Sequence, residues 1–401
     1  MSITYPNTIL KHIPHIGEGH MQFKEDIPYL KQWVNNVGNY ITRIQKSAKD
    51  QALPSAFTIA STSKVTEYRH PYLTPIRRVP HSVVGGAVVF SQTQASLLCQ
   101  AIDGQVDHIL VDAEKKIDVL VDVDQEALDV FGLAKPEKLK TYSHVELGNL
   151  SASCAQLITK SQFQEYKPND LTVEAAWHFL SQYFRVLSGR KIGIIGSGNI
   201  GFKLALKLVE SGTQVQMVRR DLSKGMLMAN AINIIKPLST ISNAQYNASP
   251  LHAALFCDAL IGCTDGQPVI TWEMIQSLKP GGLVIDIGKG SVYEDAIQQA
   301  TRHNIQIVRC DISPALDGLI ATMQKSRQMM AHNIGRTEMS PGIFVVSGGY
   351  LGNAGDIVVD DYQHPTQAIG VCDGRGDFKQ HLTEQDKHNL TIVENGLKHV
   401  N

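Results

Sequence analysis

Residues 189–221 read GRKIGIIGSGNIGFKLALKLVESGTQVQMVRRD, and no other stretch limits the fold as tightly. Lys191 to Ile195 is a short apolar run that reads as a buried strand. Gly196, Gly198 and Gly201 follow it with the spacing G-x-G-x-x-G. In such a turn the first glycine allows the tight bend. The second lets backbone approach a pyrophosphate, and the third lets the next helix lie close to the strand. From Asn199 onward Ile200, Leu204, Leu208 and Val209 share one helical face, and Gly212 is a natural stop. Gln214 to Val218 is the next strand. The motif alone is weak, but strand, turn, helix and second strand together make it a dinucleotide-binding unit rather than a glycine-rich turn of another sheet. Ser197, Asn199 and Ile200 join the three glycines as cofactor-binding candidates.

The second strand ends Val218-Arg219-Arg220-Asp221, followed by Ser223 and Lys224. NAD sites commonly place an acid near this point for the ribose 2′-hydroxyl, whereas NADP sites place an arginine for the 2′-phosphate. Guanidinium can grip a phosphate through two parallel hydrogen bonds. Arg219, Arg220, Ser223 and Lys224 therefore favour NADP. The alternative is an NAD site in which an arginine stacks on adenine and Asp221 takes the acceptor role.

The α/β rhythm continues on both sides of this unit. Upstream, Ile27, Leu30, Val34, Val37, Ile41 and Ile44 mark an amphipathic helix over 26–47, packed within the chain or against a second subunit. Val83 to Phe90, Ile109 to Val111 and Asp118 to Val123 read as strands, with a helix over Gln92 to Ile102. Residues 171–187 form a linking helix. Downstream, strands are expected at Leu260–Ile261, Leu283–Ile287 and Ile305–Val308. Helices are expected after Thr271 and over Glu294–Thr301. Residues 341–377 are rich in Gly and Asp and read as loops and short strands. The expected fold is α/β, a doubly wound Rossmann domain with a smaller α/β domain. The expected divisions are 1–170 for the substrate and catalytic domain, 171–335 for the cofactor domain, and 336–401 for a segment returning to the first domain.

Composition narrows the function classes. The 401 residues are 43% apolar and 19% charged, with a formal net charge of −1. That balance points away from nucleic acid and anionic membrane surfaces as partners. No apolar run is long enough to span a bilayer, and the first twenty residues lack the layout of a secretory signal. Six scattered cysteines without C-x-x-C read as reduced, buried side chains, so a cytoplasmic location is expected. His12, His15 and His20 match no zinc spacing, and no metal is expected. Arg375-Gly376-Asp377 carries no signal in this setting.

Three segments, GRKIGIIGSGNIG, SLKPGGLVIDIGKGSVYEDAIQQA and VRCDISPAL, resemble the cofactor domain of D-2-hydroxyacid dehydrogenases and S-adenosylhomocysteine hydrolases. The resemblance covers residues 189–316. It implies a Rossmann domain paired with a smaller flavodoxin-like domain, and nicotinamide-cofactor oxidoreductase chemistry. It names no substrate.

In open α/β sheets a ligand lies at the carboxyl ends of the strands, near the point where strand order reverses. That places Cys263, Thr264, Asp265 and Gly288 among the cofactor-binding candidates and makes Lys289 a catalytic candidate. Hydride transfer to a carbonyl or imine also needs a proton donor, and an acidic substrate needs a cation. The segment 61–81 holds Lys64, Glu67, Arg69, His70, Arg77, Arg78 and His81. Lys64 is a candidate proton donor, and Arg69 and Arg77 are candidate substrate clamps. A solvated, proline-rich loop is the competing reading. His364, beside Asp360 and Asp361, is a second candidate donor. The function expected is an NADP-dependent oxidoreductase, NAD being the other option, acting on a small carbonyl, imine or hydroxy/amino compound. The alternatives are an enzyme that uses bound nicotinamide internally and a dinucleotide-sensing regulator without turnover. A small-molecule substrate is the expected partner, and a homodimer is compatible with the sequence.

Overall fold

The computed structural model describes residues 25–62, 69–114, 125–132, 150–303 and 305–398. The chain falls into two compact units, divided between Asp317 and Gly318.

Among the described residues of the first unit, the first element is helix α1, Ile27–Gln51, capped by Asp26, whose side chain accepts from the Tyr29 N–H. Its 3-4 pattern is explained by the core beneath it. Leu30, Trp33, Val37, Ile41 and Ile44 are buried in one cluster with the first sheet, so the helix packs within the chain. Contact is close because β4 carries Gly85, where a Cβ would stand 2.2 Å from Ile44 Cδ1. The elements that follow are β1 (Ser55–Ala60), β2 (Tyr72–Leu73), β3 (Arg77–Val79), β4 (Ser82–Val88), α2 (Gln92–Ile102), β5 (His108–Asp112), α3 (Gln125–Phe131), α4 (Leu150–Leu157) and β6 (Gln162–Tyr166). Strands β4, β1, β5 and β6 lie side by side in that order and run parallel, while β2 and β3 pair antiparallel with β4. The proline-punctuated passage thus builds an edge of the sheet at β2 and β3. The strand expected over 118–123 lies outside the described residues.

Helix α5, Pro168–Phe184, leads into the second sheet. Its buried face, Val173, Ala176 and Leu180, belongs to that sheet's core. Then come β7 (Lys191–Ile195), α6 (Asn199–Glu210), β8 (Gln214–Val218), α7 (Leu222–Ile235), β9 (Ala244–Asn247), α8 (Pro250–Ala254), β10 (Ala259–Gly262), α9 (Trp272–Gln276), β11 (Leu283–Asp286), α10 (Glu294–Arg302) and β12 (Ile307–Arg309). The strand order is β12-β11-β10-β7-β8-β9, and every pair is parallel. Counted from β7 this is 3-2-1-4-5-6, the doubly wound dinucleotide-binding order, with its reversal between β7 and β10. At the opposite, amino end Asp258 ties the strands. It accepts from the Lys191 N–H at 2.8 Å, Arg190 at 3.1 Å and Lys279 at 2.8 Å.

Helix α11, Ser313–Gln328, runs across the division and ends in a π-helical turn, Met329–Asn333. The second unit contains β13 (Gly335–Ser340), β14 (Ile343–Ser347), β15 (Ile357–Val359), β16 (Ala368–Val371) and α12 (Glu384–Lys398). The four strands are ordered as in the chain, with only β14 and β15 parallel. Val345, Ile357, Val359, Val371 and Val393 form its core. Arg336 grips the buried Asp356 through two bonds, Nε–Oδ2 at 2.7 Å and Nη2–Oδ1 at 3.0 Å.

Candidate cofactor site

The glycines of the turn between β7 and α6 differ in what surrounds them. Gly196 has φ +103°, and a Cβ there would meet the Cys263 carbonyl oxygen at 2.6 Å and the Thr264 nitrogen at 2.9 Å. A Cβ on Gly201 would stand 2.3 Å from the Gly196 oxygen. These two positions are fixed by backbone packing. Gly198 has the ordinary extended values φ −82° and ψ −156°, and a Cβ there would meet nothing within 4 Å. It faces open space at the first turn of α6, where unpaired helical N–H groups favour an anion. The turn is held from below, since the Gly196 and Ser197 N–H groups both donate to the Val218 carbonyl, at 3.1 and 3.0 Å.

Two further loops close against this one at the strand reversal. A Cβ on Gly288 would lie 2.0 Å from the Thr264 oxygen, and the Gly266 N–H donates to the Gly288 carbonyl at 3.1 Å. Thr264 turns its hydroxyl back to the Gln267 carbonyl at 2.5 Å. Asp286, at the end of β11, accepts from the Gly290 N–H at 2.7 Å and the Ser291 N–H at 3.3 Å. Lys289 sits inside that turn at φ +58°, a left-handed conformation that few non-glycine residues adopt. Burial pushes the Cys263 thiol up to about 12, helped by the nearby Asp286 carboxylate, so it is protonated at neutral pH.

The loop after β8 completes the edge. The Arg219 side chain is half-buried and its Nη1 donates to the Ser197 carbonyl. Arg220, Ser223 and Lys224 are exposed at the start of α7. Asp221 caps that helix, accepting from the Lys224 N–H at 2.9 Å, and this bond holds its carboxyl below the usual range. The four loops marked out by sequence, 196–201, 219–224, 263–267 and 288–291, are therefore contiguous at the carboxyl ends of β7, β8, β10 and β11.

A match to one family model agrees with this geometry. Residues 191–290 match the family model described as NADP oxidoreductase, coenzyme F420-dependent. That quarter of the chain is an NAD(P)-binding Rossmann-like domain of oxidoreductase type. No curated protein matches the sequence. Among solved structures, the chain is similar to one assigned as a formate dehydrogenase from Pyrobaculum aerophilum, at 13% identity and TM-score 0.27. The likeness covers 37% of this chain and 52% of that one, about half its length. L-tryptophan dehydrogenase from Nostoc punctiforme aligns at 12% identity and TM-score 0.35, covering 65% of this chain and 71% of that one. Dipicolinate synthase A chain from Bacillus subtilis aligns at 10% identity and TM-score 0.31, covering 69% and 97%.

The remaining candidates are distributed differently. Lys64 and Glu67 lie outside the described residues, as do His12, His15 and His20. Arg69 stands at φ +42°, and its carbonyl accepts from Gln94 Nε2 at 3.2 Å. His70 next to it stacks on Tyr29 at 3.9 Å and faces Asp26 at 3.2 Å. Arg77 is on β3, paired with Val84 of β4. The Ser313 N–H and hydroxyl hold the Asp311 carboxyl low, and Arg77 and Arg309 add to this through their charge. His81, four residues further on, is gripped by the buried Asp317 through its N–H at 2.9 Å and its Nδ1 at 2.8 Å. Sequence reasoning noted His81 but not Asp317, because nothing local links residues 236 positions apart. His364 is an exposed turn residue of the second unit, its N–H 3.3 Å from Asp361 Oδ1. Among the described residues no cluster of His, Cys, Asp and Glu could hold a metal ion, and no helix is long and apolar enough to cross a membrane.

Proposed function

We propose that the protein is an NADP-dependent oxidoreductase transferring hydride to or from a small carbonyl, imine or hydroxy/amino compound. One observation carries the reading. The glycine turn leaves an open cradle only at Gly198, and the next strand end offers Arg220, Ser223 and Lys224 while Asp221 is engaged as a helix cap. A pyrophosphate fits the cradle, and a 2′-phosphate suits the basic strand end better than a ribose diol needing an acid would. The matched family description also names NADP.

The bound cofactor would supply the hydride, and the other tasks fall to this chain. Gly196, Ser197, Gly198, Asn199, Ile200 and Gly201 would seat the pyrophosphate. Cys263, Thr264, Asp265 and Gly288 would line the nicotinamide side, with Cys263 inert as a protonated thiol. A proton must reach or leave the reacting oxygen or nitrogen. Lys289 is the candidate beside the reversal point, with Lys64 and His364 as the others. Arg69 and Arg77 are candidates for orienting an acidic substrate.

The test is a panel of keto acids, imines and sugar carbonyls followed at the reduced-nicotinamide absorbance with NADPH. Turnover of any one class, lowered by Lys289→Met, Lys64→Met or His364→Asn with NADP+ binding intact, supports the reading. Absence of dinucleotide binding in the wild type would end it.

A further inference from the structure

Two adjacent arginines end β8, and the structure treats them in opposite ways. Arg219 is half-buried, with its Nη1 on the Ser197 carbonyl and 3.6 Å from Met228 Sδ of α7. Its Nε is buried without a hydrogen-bond partner among the described residues. Its own carbonyl accepts from the Tyr246 hydroxyl at 3.2 Å. The Tyr246 ring occupies the space left by Gly225, where a Cβ would stand 2.3 Å from Cε2. Residue 219 is therefore anchored through both backbone and side chain. Arg220 is exposed and has no hydrogen-bond or ion-pair partner among the described residues.

We propose that these arginines perform separate tasks: Arg219 is a positioning residue that aims the glycine turn, and Arg220, with Ser223 and Lys224, selects the 2′-phosphate. The proposal rests on the NADP reading above. Its physical basis is the planar trans peptide between Ser197 and Gly198, there being no cis peptide bond among the described residues. In a trans peptide the carbonyl and the N–H point in opposite directions. Holding the Ser197 oxygen down on Arg219 turns the Gly198 N–H up, toward the open side of the turn. That N–H would meet the pyrophosphate, which NAD and NADP share. Arg219 is thus engaged with the turn through Nη1, whereas Arg220 stands exposed at the strand end.

The two roles predict different binding patterns for NADP+ and NAD+, measured by calorimetric titration of the full chain. Arg219→Met should weaken both dinucleotides by the same factor, on the order of tenfold for a charge-assisted hydrogen bond. Arg220→Met should weaken NADP+ by roughly 10- to 100-fold and leave NAD+ within about twofold. A selective loss of NADP+ in Arg219→Met overturns the assignment. Thermal melts show whether that variant folds. If it does not, Arg220→Met combined with Lys224→Gln decides the matter. Equal affinity for the two dinucleotides supports the proposal, and a remaining NADP+ preference of about tenfold, one charge-assisted bond's worth, assigns the grip to Arg219 and refutes it. A wild type that prefers NAD+ refutes the NADP reading instead. In that case the effect of Arg219→Met on NAD+ still tests the brace, and unchanged NAD+ affinity removes it.

Discussion

Two glycines two residues apart in the same turn should respond to alanine in opposite ways. At Gly196 an added Cβ meets backbone of the loop after β10 at 2.6 to 2.9 Å, and φ is +103°. Backbone cannot swing aside as a flexible side chain would. The left-handed conformation costs an L residue about 1–3 kcal/mol. Forced overlap in a packed region adds about 1–3 kcal/mol. Gly196→Ala should therefore destabilise the first unit by about 2–6 kcal/mol. At roughly 2 °C per kcal/mol, the low end expected for a unit of this size, the melting temperature should fall by about 4–12 °C. At Gly198 the dihedrals suit any residue and nothing lies within 4 Å of the new methyl. Gly198→Ala should leave stability unchanged or raise it by about 0.4–1 kcal/mol, through the stiffer unfolded chain. It should nevertheless abolish tight dinucleotide binding, because the methyl stands where a pyrophosphate must approach. Calorimetric melts and NADP+ titrations of both variants give the comparison. If Gly198→Ala melts as low as Gly196→Ala, or binds NADP+ like the wild type, the division of roles within the turn is wrong.

Other expectations follow from single residues. Burial opposes ionisation of Asp103, but the Ser161, Lys160 and Thr159 N–H groups and the Thr159 hydroxyl hold its carboxyl at about 2. A carboxyl lowered in the folded state contributes stability above its unfolded value near 4, and that contribution is lost as pH falls toward 2. Asp103→Asn should therefore flatten the acid limb of stability between about pH 4 and pH 2 in acid-titrated melts. Cys263 and Cys310, with thiols pushed up to about 12 and about 11, should resist iodoacetamide at neutral pH in the folded protein. Peptide mapping that finds either labelled at the rate of a free thiol would contradict this. Asp258→Ala should lower the melting temperature, because it leaves the Lys191 N–H, Arg190 and Lys279 without the acceptor that ties the amino end of the second sheet.

Much of the second sheet was legible because its signals are local. The spacing of Gly196, Gly198 and Gly201 between an apolar run and a 3-4 helical face is confined to residues 191–209, and β7, α6 and β8 begin where that pattern places them. The helix expected over Gln92 to Ile102 forms over that range, and the structure adds its cap, Ser91, whose side chain accepts from the Gln94 N–H. The first sheet was less legible. Strand β1, SAFTIA, lies between a proline and a polar passage, and its central place between β4 and β5 depends on pairings 28 and 52 residues away. Strand β6, QFQEY, is partly polar because it lies at the sheet's edge, which removes the apolar run that marks a buried strand. Within the site, residue type pointed to Arg219 and Arg220 equally. Their opposite orientations arise from the Ser197 carbonyl and the Tyr246 ring, neither of which a strand-end pattern reveals.

The central claim, that the strand end after β8 is built for a 2′-phosphate, is tested most directly by titrating the purified wild-type chain with NADP+ and NAD+ under identical conditions. The account predicts that NADP+ binds more tightly by roughly tenfold or more, the equivalent of one charge-assisted phosphate contact. Tighter binding of NAD+, or equal binding of the two, would contradict it.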